Sequence, residues 1–394
     1  MEKSRNNARA FTRKRKLGFV NTVLLSLNFV SRPLGAELNN YFINILREGE
    51  TVQQQSFSEA RQNIKYEAFR EIFELSVNEG LAVEDATLYE GLRVVAIDGS
   101  LVQLKTTQEL IERFGGSTPA EGKAFARMSV VYDVLNDLLL DARLEPYSVG
   151  ERELALKGLE NVGGLDAGRL LVLMDRGYWS PKLISRVLDS GNELLMRIPN
   201  DVTAAVSCGD TEITVRNGGK TYGLRCARFT LPSGETETVV TSLPAEAFPE
   251  SELFRLYSLR WGVETKYDAV KNILKLDTIT SRTHLTVMQD FYATMAAANA
   301  VAFAGYAAQE EIDRRQEGKD NKYAYKANRN SVVAALKDTL IAAIVLPTRK
   351  NRRALDRAMN DLAAQRPVPI RPDRSTPRAA RTTARRKSPK RSVL

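Results

Sequence analysis

The stretch Leu92-Arg-Val-Val-Ala-Ile97 is a short β-branched run, and Asp98-Gly99 follows it directly. An apolar run of this length that ends in a turn pair predicts a buried strand leading into a turn. A second such run, Arg169-Leu-Leu-Val-Leu-Met174, is followed by Asp175-Arg176-Gly177-Tyr178, and Pro181 then predicts the start of a helix. Strands that alternate with helices predict a mixed α/β core. Both aspartates are expected just beyond the carboxyl end of a strand, where α/β proteins bind ligands.

Further strand patterns surround these two runs. Met128 to Leu135 and Leu138 to Pro146, separated by Asn136-Asp137, predict a hairpin, and Glu193 to Ile198 predicts another strand. From Pro199 to about Pro249 the sequence alternates Thr, Val and Arg between turn pairs. This segment predicts antiparallel strands inserted into the α/β core.

Helical patterns dominate from Phe11 to about Asn78 and again from Glu250 onward. In the first region, a helix that ends near Arg47 precedes a longer helix from Phe57 to Phe73. Two helices with a short connection suit a helix-turn-helix-like DNA reader or a plain helical bundle, and the sequence leaves both open.

The composition limits the chemistry. The chain has 394 residues, 43% of them hydrophobic and 27% charged, which is typical of a soluble globular protein of two or three parts. Cys208 and Cys226 are too few for a disulfide framework or a Cys-rich zinc site and suit a reducing cytoplasm. With His284 as the one histidine, most zinc chemistry and Ser-His catalysis are excluded. A metal would need oxygen ligands, which favours magnesium or manganese.

The net charge of +9 is concentrated at the ends of the chain. From Arg366 to Leu394 ten basic residues stand against Asp373, and the first sixteen residues carry seven basic residues against Glu2. Such tails are typical of electrostatic arms for a polyanion, although solubilising disordered tails have the same composition. Phe291 to Ala308 is apolar but rich in Ala, which predicts a buried helix rather than a membrane span.

The segment from Glu250 to about Leu276 predicts one long helix with a polar stripe. At about 100° per residue, four polar side chains fall within about 60° of one another, and Lys266 falls about 180° away. These four are Tyr257, Arg260, Glu264 and Lys271. A solvated stripe with an Arg260–Glu264 salt bridge is the alternative, but it does not account for the Tyr and the Lys on the same line.

Three acids from two strand ends and one helix could hold two magnesium ions roughly 3.5–4 Å apart, as in phosphodiester displacement. The candidate catalytic and metal-binding residues are Asp98, Asp175 and Glu264. Arg260 and Lys271 are candidate clamps for DNA phosphates, and Tyr257 is a candidate hydrogen-bond donor to one of them.

At these positions the sequence resembles the Asp-Asp-Glu insertion-sequence transposases, in the subgroup with the signature Y-x(2)-R-x(3)-E-x(6)-K. Tyr257, Arg260, Glu264 and Lys271 match that signature. Val94 to Ser100 and Met174 to Tyr178 are similar to the family's first and second acidic motifs. The resemblance extends from about residue 11 to 350.

The resemblance implies an RNase H-like core interrupted by a β-rich insertion, with helical regions on either side. It implies metal-dependent cleavage at insertion-sequence ends and strand transfer into target DNA, with two Mg²⁺ or Mn²⁺ ions. The implied partners are double-stranded DNA, as terminal inverted repeats and as target, and a second copy of the chain in the DNA complex. The implied location is the bacterial cytoplasm, at the nucleoid.

The expected domains follow the chain in order. They are a DNA-end-binding helical region (1–90), the first part of the core (91–198), the insertion (199–249), the signature helix with the following helix (250–308), a helical region (309–365) and a disordered basic tail (366–394). Two alternatives remain at this point: a nuclease with the same core and no strand transfer, and a non-catalytic protein that binds DNA ends. Three metal-holding acids argue against the second, because a binding protein has no use for them.

Overall fold

A computed structural model of the chain describes residues 2–13, 15–28, 33–116, 123–199, 202, 212–230, 236–270, 274, 279–362 and 364–371. Two compact units divide the chain. One is the continuous segment Val77–Asp268, and the other joins Met1–Ser76 to Ala269–Leu394. The amino-terminal and carboxyl-terminal helical regions, which the sequence predicts as separate domains, share this second unit in the structure.

The unit Val77–Asp268 is built on one eight-stranded sheet. Its strand order is β3-β2-β1-β4-β5-β8-β7-β6. Strands β1, β4 and β5 run parallel, and the other neighbouring pairs are antiparallel. The strands are β1 (Arg93–Gln103), β2 (Phe125–Asp133), β3 (Leu138–Pro146), β4 (Leu170–Met174), β5 (Glu193–Arg197), β6 (Glu212–Asn217), β7 (Lys220–Thr230) and β8 (Thr236–Thr241).

The two opening sequence runs form the centre of this sheet. The first five residues of β1 and all five of β4 are buried, as expected for strands with neighbours on both sides and helices over the faces. The predicted hairpin of β2 and β3 is confirmed, and its turn residue Asp137 takes a positive φ of 47°. The predicted mixed α/β core is therefore confirmed.

The strands of the predicted insertion extend the same sheet. β6 and β7 form a hairpin around Asn217-Gly218, as predicted, and Gly218 takes a φ of 56°. β8 then pairs with β5, with Leu195 opposite Thr241. The antiparallel strands are thus confirmed, but they continue the core sheet. The predicted turn at Ser233-Gly234 lies outside the described residues.

Helices cover this sheet and complete its unit. Buried residues of α6 include Leu154, Leu159 and Val162, and the predicted start of α7 at Pro181 is confirmed. The helices are α5 (Gln108–Phe114), α6 (Glu151–Gly163), α7 (Pro181–Asp189), α8 (Glu250–Ser258) and α9 (Trp261–Asp268).

The other unit is helical. One of its cores gathers Leu24, Tyr41 and Phe42 with Ile341, and a second surrounds the long helix α10. The helices are α1 (Phe19–Leu27), α2 (Leu34–Asn39, continued by a π-helical segment Asn40–Ile45), α3 (Gln54–Gln62), α4 (Glu67–Leu81), α10 (His284–Gln316), α11 (Arg329–Leu336), α12 (Thr339–Val345) and α13 (Arg349–Arg357, continued by a π-helical segment Ala358–Leu362).

Two expectations for this unit are wrong. The single helix expected from Phe57 to Phe73 is interrupted, because the chain between α3 and α4 binds the amino-terminal segment: Lys65 N donates to Ser4 O (2.9 Å). The tail expected to be disordered from residue 366 begins with a short strand, β10 (Val368–Pro369), paired with β9 (Tyr325–Lys326). Residues 372–394 lie outside the described part of the chain.

The apolar stretch Phe291 to Ala308 lies inside α10, and most of its side chains are buried, as predicted. Across the described residues, no helix combines the length and the apolar character that a membrane crossing requires.

Candidate active site

Asp98 lies inside β1, where it pairs with Val130 of β2. The expectation that it follows the strand is wrong, because residues 99–103 continue the antiparallel pairing with β2. On its other side, β1 pairs with β4 only as far as Ala96. The Asp98 side chain is half-buried, and its Oδ1 accepts a hydrogen bond from Gly99 N (2.9 Å).

Asp175 follows the last residue of β4 directly, as predicted. It caps a 3₁₀ turn, Arg176–Tyr178, and its Oδ1 accepts from Gly177 N (2.8 Å). The turn is also held by Arg152 of α6, whose Nε donates to Gly177 O (2.8 Å). Because β1 and β4 are parallel neighbours, both aspartates stand at the carboxyl edge of their pairing.

The long helix expected from Glu250 to Leu276 is two helices, α8 and α9. Between them the backbone closes i→i−3 hydrogen bonds, Arg260 N to Tyr257 O and Val263 N to Arg260 O. Such tighter turns advance by about 120° per residue. The angles computed for one continuous helix therefore do not hold across the break. Glu264 lies in α9, and 45% of its side chain is exposed.

Arg260 occupies the break and is buried, with 6% of its surface exposed. Its guanidinium lies 3.6 Å from Glu264 Oε1, as the salt-bridge alternative foresaw, and stacks over the Trp261 ring at 4.5 Å. Its Nε is buried and has no hydrogen-bond partner among the described residues.

The electrostatics bring the three acids together. The pKa of Asp98 is raised from 3.8 to about 6, mainly by burial and in smaller part by the charges of Asp175 and Glu264. The Gly99 N–H and the charge of Arg260 oppose this rise. The structure therefore brings Asp98, Asp175, Glu264 and Arg260 into one interacting neighbourhood.

The other signature residues have different surroundings. Tyr257 is buried, and burial raises its pKa to about 12. Lys271 lies outside the described residues. Lys266 is buried, and its Nζ donates to Asp137 O (2.7 Å) and Asp137 Oδ1 (3.2 Å).

Four further residues surround Asp98 that the sequence analysis does not single out. Tyr267 OH donates to the backbone oxygen of Asp98 (2.6 Å). The Tyr178 hydroxyl is buried, without a hydrogen-bond partner among the described residues, and burial raises its pKa, with the charges of Asp98, Glu151 and Asp175 adding to the rise. Glu151, paired with Arg127, stands over Gly99 closely enough that an added Cβ there would meet Glu151 Cγ at 3.0 Å. Of this group, Tyr178 belongs to the motif that follows Asp175 in the sequence, and Arg127 is a charged residue within the strand β2.

The donor chemistry of the site fits a hard divalent cation. Asp98, Asp175 and Glu264 offer only carboxylate oxygens, which are the ligands that Mg²⁺ and Mn²⁺ prefer. In the part of the chain that the structure describes, no group of three or more His, Cys, Asp or Glu side chains is arranged to hold a metal ion. The three acids therefore share one neighbourhood without forming a closed coordination shell.

One family model matches more than half of the chain. The family described as "Transposase DDE domain" matches residues 89–300. The transposase InsG for insertion sequence element IS4 of Escherichia coli (strain K12) is 24% identical over 292 residues. That match covers 69% of this chain, and the chain spans 65% of the length of that relative. Among solved structures, a piggyBac transposase synaptic complex with hairpin DNA gives a TM-score of 0.49 at 12% identity, covering 91% of this chain and 78% of that one.

Proposed function

The chain belongs to the family of transposases with a DDE domain, and on that premise we propose that it is a DNA transposase. The proposed reaction is hydrolysis of phosphodiester bonds at insertion-sequence ends, followed by strand transfer into target DNA. The observation that carries the proposal is the position of Asp98 and Asp175 at the carboxyl edge of the parallel pairing of β1 and β4, with the charge of Glu264 acting on Asp98.

We propose an RNase H-like core for the catalytic unit. The order β3-β2-β1-β4-β5, with β1, β4 and β5 parallel and β2 and β3 antiparallel, supports it. Strands β6 to β8 fall between Asp175 and Glu264 in the sequence, where the family resemblance expects an insertion.

Asp98, Asp175 and Glu264 would hold two Mg²⁺ ions, or Mn²⁺, whose Lewis acidity assists the attacking and leaving oxygens. The chain's own contribution is to orient these carboxylates. Tyr267 fixes the backbone at Asp98 through its hydroxyl, and the Gly177 N–H fixes one oxygen of Asp175. Closing the coordination shell would require Glu264, the exposed acid of the three, to move toward the two strand-borne acids.

The polar signature residues are assigned by their burial. Arg260 and Tyr257, both buried, suit a role in holding Glu264 and the break between α8 and α9 better than direct phosphate contacts on a free surface. For Lys271 we retain the proposed contact with a DNA phosphate, because the residue matches the last position of the signature. The helical region 1–90 is proposed to bind DNA ends and the basic tail from 366 to act as an electrostatic arm, with a second copy of the chain in the DNA complex.

The test is incubation of the protein with the inverted repeats flanking its gene, Mg²⁺ and a target plasmid. Asp98→Asn, Asp175→Asn and Glu264→Gln should each reduce cleavage to below about one hundredth of wild type, because losing one ligand disables the whole metal site. Binding of the ends should stay within about twofold, since no phosphate contact is lost.

Asp189→Asn is the matched control. Asp189 is an exposed carboxylate of the same unit whose partners are Lys220 and Tyr222, so its loss should leave cleavage unchanged. A variant of the three acids that keeps about a tenth of normal cleavage would remove that residue from the catalytic set. Cleavage without any joined product would limit the activity to that of a nuclease.

A further inference from the structure

Helix α13 carries a dense positive charge on its surface. Five of its nine residues are basic and one, Asp356, is acidic, and none of the nine is buried. The basic residues, called here the α13 basic face, are Arg349, Lys350, Arg352, Arg353 and Arg357.

The charges are confined to one side of the helix. At about 100° per residue, the five basic side chains span an arc of about 160°. The opposite side attaches the helix to its own unit. Asn351 Nδ2 donates to Ala342 O (3.2 Å) and Leu346 O (2.8 Å), and Leu355 packs against the α10 core next to buried Ala358. The basic face is therefore held outward by contacts on the other side.

These cations are not satisfied within the protein. Among the described residues, none of the five forms an ion pair, although exposed arginines on other helices of the same unit do. Arg314 and Arg315 both pair with Glu311, and Arg70 pairs with Glu74. The one acid of the helix, Asp356, falls within the same arc. Among the described residues it forms no ion pair with Arg352 or Arg353, so positive charge predominates on this face.

The groove beside α13 has a mixed lining. It has a volume of about 610 Å³, and Lys350 and Arg47 line it together with the acidic Asp338 and apolar side chains such as Leu346. The groove therefore carries charges of both signs, and it meets the α13 basic face only at Lys350.

We propose that the α13 basic face binds the phosphate backbone of duplex DNA without reading its sequence. The partner follows from charge complementarity: Arg349 to Arg357 spans about 12 Å, a length over which duplex DNA carries about seven negative charges. Arginine also matches phosphate geometry through bidentate hydrogen bonds. The choice of DNA as the polyanion rests on the proposed function.

The experiment measures binding of the full chain to a fluorescently labelled 30-base-pair duplex of arbitrary sequence, by anisotropy over a range of salt concentrations, without divalent metal. The triple variant Arg349→Gln/Arg353→Gln/Arg357→Gln should bind at least about tenfold more weakly at 0.1 M salt. Its slope of log Kd against log salt should fall by about 2.7, that is by about 0.9 for each lost phosphate contact.

Arg70→Gln/Arg314→Gln/Arg315→Gln is the matched control, because it removes the same charge from ion-paired arginines of the same unit. Its slope should change by less than about 0.5, since no phosphate contact is lost. Equal losses in the two triple variants would overturn the proposal in favour of general charge, and an unchanged slope in the α13 variant would overturn it outright.

Two further variants protect the test against misfolding. Arg349→Lys/Arg353→Lys/Arg357→Lys keeps the charge and should keep most of the slope, and the single variant Arg353→Gln should lower it by about 0.9. No step of this assay requires cleavage. If the protein binds DNA through α13 but does not cleave it, the proposed catalysis is wrong and the proposed DNA-binding face is supported. If the protein cleaves DNA but the α13 variant leaves the salt slope unaltered, the proposed DNA-binding face is wrong and the proposed catalysis is supported.

Discussion

Asp98 lies in a backbone ladder and Asp175 follows one directly, whereas Glu264 contacts the rest of the site through the Arg260 side chain. β1 is hydrogen-bonded to β2 on one side and to β4 on the other, so the strand-borne acids inherit the register of the whole sheet. Glu264 stands on α9, an eight-residue helix that begins at a break in the hydrogen-bonding pattern. The site therefore has a strand half, Asp98 and Asp175, whose position is fixed by the sheet. It also has a helix half, Glu264 on α9, whose position depends on a few tertiary contacts.

The largest effect on the free energy of unfolding is expected at the buried ion pair that joins β1 to β2. The buried Arg93 joins β1 to Asp133 at the end of β2 (2.5 Å), and Asp133 also accepts from Asn136 Nδ2 (2.8 Å). Asp133→Ala should lower the free energy of unfolding by about 3–5 kcal/mol, because a buried guanidinium is left without its partner. Urea titration followed by circular dichroism measures this change.

The control for this brace removes both charges. Arg93→Met/Asp133→Leu should recover part of the lost stability, since no buried charge remains unpaired. A loss below about 1 kcal/mol for Asp133→Ala would mean that the ladders alone fix the strand half.

An intermediate effect is expected at Lys266, which ties α9 to the β2–β3 turn. Its buried ammonium donates to the backbone oxygen of Asp137. Lys266→Met keeps the aliphatic stem and should cost about 1–3 kcal/mol, because the buried carbonyl loses its donor. Lys182→Met, at an exposed position of α7, should cost less than about 0.5 kcal/mol.

The Lys266→Met variant also tests whether cleavage depends on the position of α9, which carries Glu264. If α9 depends on Lys266, cleavage should fall together with stability in Lys266→Met, while binding of DNA ends persists. Full cleavage by a destabilised Lys266→Met variant would show that Glu264 is positioned by other contacts.

The smallest effects are expected for two glycines. An added Cβ at Gly158 of α6 would meet Val131 Cγ2 at 2.9 Å, whereas at Gly262 it would meet Tyr132 Cε1 at 3.6 Å. Gly158→Ala should therefore cost about 1–2 kcal/mol through overpacking against the sheet. Gly262→Ala should change stability by less than about 1 kcal/mol, because ordinary contact and better helix propensity favour the alanine. Thermal melting of the two variants ranks them, and the opposite order would refute the idea that the strand half is the tighter one.

The sequence predicts the strand half well because its signals are local. β1, β4 and the hairpin of β2 and β3 are readable as short apolar runs bounded by turn pairs. The pairing of β8 with β5 joins residues near positions 195 and 241, and no local sequence pattern in either strand predicts this pairing. For that reason the inserted strands are predictable but their continuity with the core sheet is not.

The helix half is predicted only in outline. Tyr257, Arg260 and Glu264 follow a helical spacing, and the Arg260–Glu264 contact occurs as the periodicity allows. The break is visible only in the backbone, where Val263 N donates to Arg260 O, and the periodicity of the residues does not reveal it. Burial of Arg260 and Lys266 is decided by packing, because charged residues are expected at the surface.

The discontinuous helical unit has a consequence for synthesis on the ribosome. Val77–Asp268 is one continuous segment and can fold as soon as it has emerged. The core of Leu24, Tyr41 and Phe42 is completed by Ile341, which is made 73 positions after Asp268. At about 5–20 residues per second, the amino-terminal segment waits roughly 4–15 s longer with its apolar side chains uncovered. Chaperones that bind nascent chains should therefore engage residues 20–45 rather than the catalytic sheet.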